Sequence, residues 1–583
     1  MKSRLACAAA LALFLSAPAV ADAATGVPGR ESEPIVVRGD TVPALLGAAP
    51  GRVVAFNWTR RDGWSQVPVQ VDERTLVDYA AVRQGHQAGG RPFSNVAYAD
   101  PNTFAGPDSD PALDGNDEIA AMAMDAGDGT PDGTKDPGGV EAGSRVELRI
   151  VDSVDPGPTR FLYLFRSNGS LDPAAGKDYV DYDFKLLSGD YKTTYVFSGV
   201  PNGDSTQSGA PGNPEDSTVN TDYYSAHLGA RWIADQLRLR AGGATGVDIL
   251  DGDKAQVNFG CGRSELTFSR GGGGFIANID GPVRAIRSYI GANSGTFTQR
   301  DQIYYQRAEV DSTYLRVHPG ISVISQFLDY SADAAGMTYR TSNAPNGVTI
   351  DGTPDSIQTG TTPGAPFLWD QVSGPQGTIS SVARMSTNMP GVNLGSYYED
   401  TATPAATQCS GYADNRTYGA SGLVISNAGQ NTDPTLGANY DFTGTRTLFY
   451  SGPGGDAALG EKRAAQVDKP LEVSLGTGNN GSPNLLLRAK GLKNAEPGRA
   501  KIRAKLKNTG RVTAEGVTVC LISRQAKEGR CAKLKTLDPQ AVKKLKLPMT
   551  IPDDAKSKFR VRVKARSKNS TGSVDYSQVK LKP

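Results

Sequence analysis

From Ile279 to Tyr330 the chain repeats one pattern, short runs of β-branched and aromatic residues cut by Gly, Asn, Asp, Ser and Pro. The runs are PVRAIRSYI, DQIYYQRAEV, TYLRVH and ISVISQFLDY. Val, Ile, Tyr and Phe suit a pleated, half-buried surface and the breakers supply turns, so the pattern predicts successive antiparallel strands. Side chains alternate across a strand, which gives each run a buried row and an outward row. The polar members are Arg284, Arg287, Arg300, Tyr304, Tyr305, Arg307, Tyr314, Arg316 and His318. Several of these on one outward face would make a cationic, aromatic wall.

At 583 residues the chain exceeds one ordinary domain; domains of roughly 100–250 residues imply two to four. Gly 68, Pro 36 and Tyr 22, with little helical periodicity, favour an all-β chain rich in turns. The first 23 residues read as a secretory signal: Lys2 and Arg4, an apolar run from Leu5 to Leu15, then small residues around Ala19 to Ala23. No later stretch is apolar enough for a transmembrane helix. Cys7 would leave with the signal, and the remaining Cys261, Cys409, Cys520 and Cys531 make an even set for an oxidising compartment. Cys520–Cys531 would close a strand–loop–strand, and elimination leaves Cys261–Cys409.

Residues 30–475 are predicted to form a large β-sandwich or supersandwich-like body, as one double sandwich or two packed ones. Ile35–Val37, Val53–Phe56, Val67–Asp72, Arg145–Val151, Phe161–Phe165, Tyr179–Leu187, Pro366–Trp369 and Thr378–Ala383 read as strands. Trp58 and Trp64 flank the turn RRDG in a hairpin whose tryptophans read as core plugs in preference to a sugar platform. YYSAHLGARWIADQLRLR, from residue 223, is the best helix candidate. Residues 476–484 read as a linker.

Beyond it the charge changes sign. Residues 485–583 carry 26 Lys plus Arg against 7 Asp plus Glu, a net of +19, and the whole chain is +1, which leaves −18 for the rest. The basic residues alternate with apolar ones, as in Lys501-Ile502-Arg503-Ala504-Lys505-Leu506-Lys507, so a small sandwich with basic outer faces is predicted. The K-N-T-G turn after the first strand, the A-x-x-V-x-V-C strand, the L-x-P turn and the alternating last strands resemble a CARDB-like, immunoglobulin-like accessory module of secreted bacterial proteins. That resemblance covers about a sixth of the chain and implies an immunoglobulin-like sandwich with an adhesion or spacer role and no catalytic residues.

The usual catalytic signatures are missing. There are three histidines, no G-x-S-x-G, no H-E-x-x-H and no phosphate-binding glycine loop. Nucleic acid is disfavoured, because the basic segment lacks interleaved stacking aromatics. The wall remains. A polysaccharide lyase needs a cation to neutralise a uronate carboxylate and a Tyr or His to move protons. Arg284, Arg300 and Arg316 suit the first role, and Tyr304, Tyr305, Tyr314 and His318 the second. A glycoside hydrolase would instead need paired carboxylates, for which Asp280, Asp301, Glu309 and Asp329 are available. The acidic stretch 107–136 offers Asp108, Asp110, Asp114, Asn116 and Asp117 as oxygen ligands for calcium, against a reading as solvated turns. Two functions follow. One is a secreted, cell-envelope-associated protein whose body binds or processes an extracellular polysaccharide while the module attaches to an anionic wall polymer. The other is a non-catalytic surface or adhesion protein.

Overall fold

The computed structural model describes residues 25–582 except 79–93, 104, 132, 186–214, 230–233, 242, 244–245, 258–272, 292–297, 318–322, 360–363, 404–416, 427–439, 477–482, 484, 509–512, 530, 539–540 and 569. The signal segment, His86, His318 and the Cys261–Cys409 pairing lie outside the described residues. The chain is mainly β, built from antiparallel sheets.

The body is organised on one nine-stranded sheet. In spatial order its strands are Gly273–Ile279, Ala285–Gly291, Thr298–Tyr305, Ala308–Val317, Tyr440–Ser451, Gly377–Thr387, Asp370–Gly374, Thr338–Thr341 and Ala344–Thr349. Two four-stranded sheets share its main core. One runs Asp181–Asp183, Ser217–Asn220, Tyr224–Leu228, Ala234–Leu239; the other runs Leu250–Val257, Val323–Tyr330, Thr417–Ser426, Asn393–Thr401. An Arg238–Asp248 bridge links them. The result is the supersandwich-like layering expected from the sequence. Tyr224, Leu237, Tyr304, Leu328, Leu448 and Tyr450 pack in its interior.

A smaller pair of sheets precedes it. Three strands (Pro34–Arg38, Glu118–Met122, Gln70–Asp72) and five strands (Glu472–Leu475, Val146–Val151, Arg160–Arg166, Val53–Thr59, Gly63–Val67) enclose a second core. Strand Glu118–Met122 is the wall between the two cores. Ile119 and Ala121 enter the smaller one, while Ala120 and Met122 enter the larger. With both faces buried it is apolar at every position after Glu118, the pattern of a strand covered on both sides.

Four expectations are corrected. DQIYYQRAEV is two strands, because the chain turns at Gln306–Arg307, and the second strand runs on through Asp311-Ser312-Thr313. The Tyr224 hydroxyl donates towards the Tyr305 and Ala308 carbonyls that flank the turn, at 3.0 and 3.3 Å. The helix candidate from residue 223 is two paired strands: Tyr224, Ala226 and Leu228 alternate inward, and so do Leu237 and Leu239. Pro366–Trp369 is no strand; pairing begins at Asp370. Pro68 splits Val67–Asp72 into two strands that join different sheets. Helix Ala457–Asp468 was not anticipated. Asp456 caps it by accepting from the Leu459 amide, and Gly460 lets it approach so closely that a Cβ would stand 2.3 Å from the Trp369 ring.

Residues from Leu485 onward form two sheets that include no strand of the body. One has four strands, in the order Leu485–Lys490, Gly498–Asn508, Val542–Ile551, Lys527–Glu528. The other has five, in the order Leu492–Ala495, Ser570–Leu581, Lys558–Ser567, Ala514–Ile522, Ala532–Leu537. Ile502, Ala504, Leu506, Val519, Val561 and Val563 fill the space between them. Cys520 and Cys531 are disulfide-bonded, as the spacing predicts, with Cα atoms 4.4 Å apart.

Candidate functional site

Most described members of the predicted wall face inward, while Arg307 and Tyr314 are half-buried. Arg284, Arg300, Tyr304 and Tyr305 are each at most 3% exposed. They do not share a face either. Arg300 and Tyr304 alternate with Tyr305 along one strand, so Tyr305 points to the opposite side of the sheet.

On one side, Arg284 is closed off by carboxylates. Its Nε and Nη2 donate to Asp72 Oδ2 at 2.8 and 2.6 Å, and Nη2 also donates to Glu118 Oε2 at 2.8 Å. Nη1 donates to the Tyr305 hydroxyl at 3.3 Å. Asp301, bonded by Ser288 and Gln299, lies on this side as well. On the other side runs a charged row between the sheets. Arg287 grips Glu215 with both Nη atoms. Arg300 and Arg446 both meet Asp253 and Asp311, with Arg446 Nη2 2.8 Å from Asp253 Oδ1 and 2.6 Å from Asp311 Oδ2. Tyr450 donates to Glu309 Oε2 at 2.9 Å.

The electrostatics follow from burial. Desolvation pushes the Tyr304 and Tyr305 phenols up, and the Arg284 cation beside Tyr305 does not reverse it. That is the wrong direction for a proton-shuttling tyrosine. Burial and the neighbouring Asp311 push Glu309 well up; Asp311, despite equal burial, is held low by Arg446 and Arg300. The guanidiniums are thus committed to carboxylates of the same chain and turned away from solvent. Arg316 lies in a described strand whose side chain there is not described, and His318 lies outside the described residues. The outward wall is therefore corrected for Arg284, Arg287, Arg300, Tyr304 and Tyr305, which are buried, while Arg307 and Tyr314 are half-buried.

The acidic stretch folds as capped turns. Asp117 accepts from the Arg74 and Asp114 amides, Asp114 from Asn116, and Asp108 from Ser109. Glu73, absent from the sequence reading, lies among them: burial, then the charges of Asp117, Asp108, Asp110 and Asp114, push it to about 7. Among the described residues no group of three or more His, Cys, Asp or Glu side chains is placed to hold a metal ion.

The exposed chemistry is on the C-terminal sandwich. In its four-stranded sheet Arg499, Lys501, Arg503 and Lys505 point out while Ile502, Ala504 and Leu506 point in. Their cross-strand neighbours are cations too. Arg488 stands opposite Lys505 and Lys505 opposite Lys544; Lys490 stands opposite Arg503 and Arg503 opposite Lys546. Opposite residues are about 4.5–5.5 Å apart at Cα, so each row holds three positive charges side by side. Like charges at that spacing destabilise a sheet, and no carboxylate is interposed in either row. This face is open to a ligand.

No protein-family model matches the chain, and no curated protein matches it. Among solved structures, a polysaccharide lyase is 9% identical over 70% of this chain and 47% of its own, with a TM-score of 0.19. A candidate aldose 1-epimerase of Escherichia coli K12 is 10% identical over 40% of this chain and 96% of its own, at 0.20. A trypsin-activated alpha-2-macroglobulin of Escherichia coli is 10% identical over 91% and 55%, at 0.15. The chain spans about half the length of the lyase. Scores this low carry no conclusion about what the chain does.

Proposed function

We propose that this is an envelope-associated binding protein, in which the basic C-terminal sandwich attaches the chain to an anionic polysaccharide or wall polymer and the β-rich body is a presented scaffold. The observation that carries the reading is the pair of cross-strand cation rows, Arg488–Lys505–Lys544 and Lys490–Arg503–Lys546. A sheet that tolerates such rows gains when a polyanion neutralises them. The accessory role implied by the CARDB-like resemblance of residues 485–583 fits the same reading. Binding is preferred to processing because Arg284, Arg300, Tyr304 and Tyr305 are buried and the two arginines are already paired.

The test is retention of the full chain on immobilised polyuronate, polyphosphate and neutral dextran across a salt series. Retention on both polyanions that weakens as salt rises, with none on dextran, is expected. The double variant Arg503→Glu, Lys505→Glu should elute at lower salt. Equal retention on dextran, or retention unmoved by salt, would remove the proposal.

A further inference from the structure

The five-stranded sheet of the same sandwich carries a different surface. Strand Lys558–Ser567 points Lys558, Arg560 and Arg562 outward. Opposite Arg562 stand Tyr576 on one neighbouring strand and Ile522 on the other. Tyr576 is 61% exposed, Ile522 40% and Val574 38%, and none of them belongs to the module's core. The fold does not need an aromatic ring there. Its backbone is nonetheless fixed: Asp575 Oδ1 accepts from the Tyr576 amide at 2.9 Å, and Asp575 Oδ2 accepts from the Ala489 amide at 2.6 Å, tying this strand to the opposite sheet.

An exposed ring cross-strand from an arginine suits one kind of partner. An exposed aromatic offers a π face to the C–H side of a pyranose, and a guanidinium matches a carboxylate with two parallel hydrogen bonds. Cross-strand neighbours stand about 5 Å apart and successive outward positions about 7 Å, so Arg560 and Arg562 both border a sugar resting on Tyr576. We propose that this face is a subsite for an acidic glycan, with one uronate pyranose stacked on Tyr576 and its carboxylate held by Arg562 and Arg560. This rests on the reading that the module binds polyanions and adds a requirement for a ring. A nucleic acid is less well matched. Single-strand binders stack successive bases on several aromatics, whereas Tyr576 is the one aromatic among the outward residues of the three strands just described.

The test uses the full chain with oligogalacturonate, with polyphosphate as a polyanion that lacks rings, and with a single-stranded oligonucleotide. Tyr576→Ala should weaken oligogalacturonate binding about tenfold, the scale of one lost ring contact, and leave polyphosphate unchanged. Tyr576→Phe should bind as the parent does. An unchanged thermal transition in both variants shows that the sandwich is intact. If Tyr576→Ala binds oligogalacturonate normally, or loses both polyanions equally, the subsite is overturned while salt-dependent polyphosphate binding still upholds the attachment reading. If the parent binds neither polyanion, that reading falls and this one with it. An oligonucleotide that outcompetes the uronate and is itself weakened by Tyr576→Ala would overturn the choice of a glycan.

Discussion

In the body's central sheet the guanidiniums of Arg284, Arg287, Arg300 and Arg446 point inward and are met by carboxylates; in the four-stranded sheet of the C-terminal sandwich the cations point outward and are met by one another. Both regions are antiparallel sheets with the same two-residue alternation. The difference lies in what covers them. Around strand Ala285–Gly291 the nine-stranded sheet is covered on both sides, so Arg284 and Arg287, three residues apart, go to opposite faces and are both buried. Each then has to bring its counter-charge from another part of the fold, Asp72 and Glu118 for one and Glu215 for the other. The module's sheets are covered on one side alone. There a cation at every second position costs little desolvation, and the remaining penalty is mutual repulsion. Buried charge demands partners within the chain, whereas exposed like charge leaves a field for a partner outside it.

The sharpest way to break this contrast is to remove one guanidinium from each region. Arg446→Met takes a shared cation from Asp253 and Asp311, both buried. Removing one partner of a buried ion pair costs about 3–5 kcal/mol, because the other charge is left uncompensated. Arg503→Met in the module should change stability by less than about 0.5 kcal/mol, as for an ordinary surface site. Urea unfolding followed by circular dichroism measures both. Similar losses in the two variants would show that the interior network is worth no more than a surface charge.

That contrast also marks what the sequence makes legible. In the module it makes nearly everything so: inward Ile502, Ala504 and Leu506 against outward Arg503 and Lys505 leave one possible orientation, and an eleven-residue separation places Cys520 near Cys531. In the body the strands are readable and their faces are not. A run such as Arg300-Asp301-Gln302-Ile303-Tyr304-Tyr305 has polar residues in both rows, and only the tertiary partners (Asp253 on one side, Ser288 on the other) show that both are buried. Alternation shows that two rows exist, not that either is wet. The turn at Gln306–Arg307 lacks Gly and Pro, so no local signal ends the strand there. Helix Ala457–Asp468 did carry a signal, an Asp cap before an Ala-rich stretch, which a search for apolar stripes passes over because half of its surface is polar. Tyr576 was legible as an aromatic residue, but its exposure among arginines follows from strand pairing.

A pH series separates the regions by a middle-sized effect. Burial raises Asp125, Asp370 and Asp400 to about 6, and burial plus acidic neighbours raises Glu73 to about 7. Unfolded carboxyls titrate near 4, so these groups bind protons more tightly when folded. Protons then favour the fold, and stability falls as pH rises from about 4 to 7. His227 acts in the same sense. Burial disfavours its charged ring, but hydrogen bonds to Asp235 and Asp216 outweigh that and raise it. Its contribution is complete below about 6.5, the unfolded value, and is lost as pH rises through the higher folded value. Glu118 and Asp311 are held low by their arginines, so their contribution is lost in acid below about 4. The body's melting temperature should therefore be higher at about pH 5 than at pH 7.5 and drop again in stronger acid. Asp370→Asn should flatten the neutral limb. A body melting temperature that rises from pH 5 to 7.5 would contradict this assignment.

The smallest effect tests the module's side of the comparison most directly. If the cation rows are a penalty retained for a partner, relieving one should stabilise the sandwich while weakening its attachment. Arg503 stands between Lys490 and Lys546. Arg503→Glu turns two repulsive cross-strand neighbours into attractive ones, worth about 0.2–1 kcal/mol each. The module's unfolding midpoint in urea should rise by that modest amount at low salt, and the gain should shrink at high salt, where the rows are screened in the parent as well. Retention on polyphosphate should fall in the same variant. Opposite signs for stability and binding from one substitution are what a surface arranged for an external anion requires. A variant that loses both would mean that Arg503 stabilises the sheet through its aliphatic stem and that the rows are not under strain.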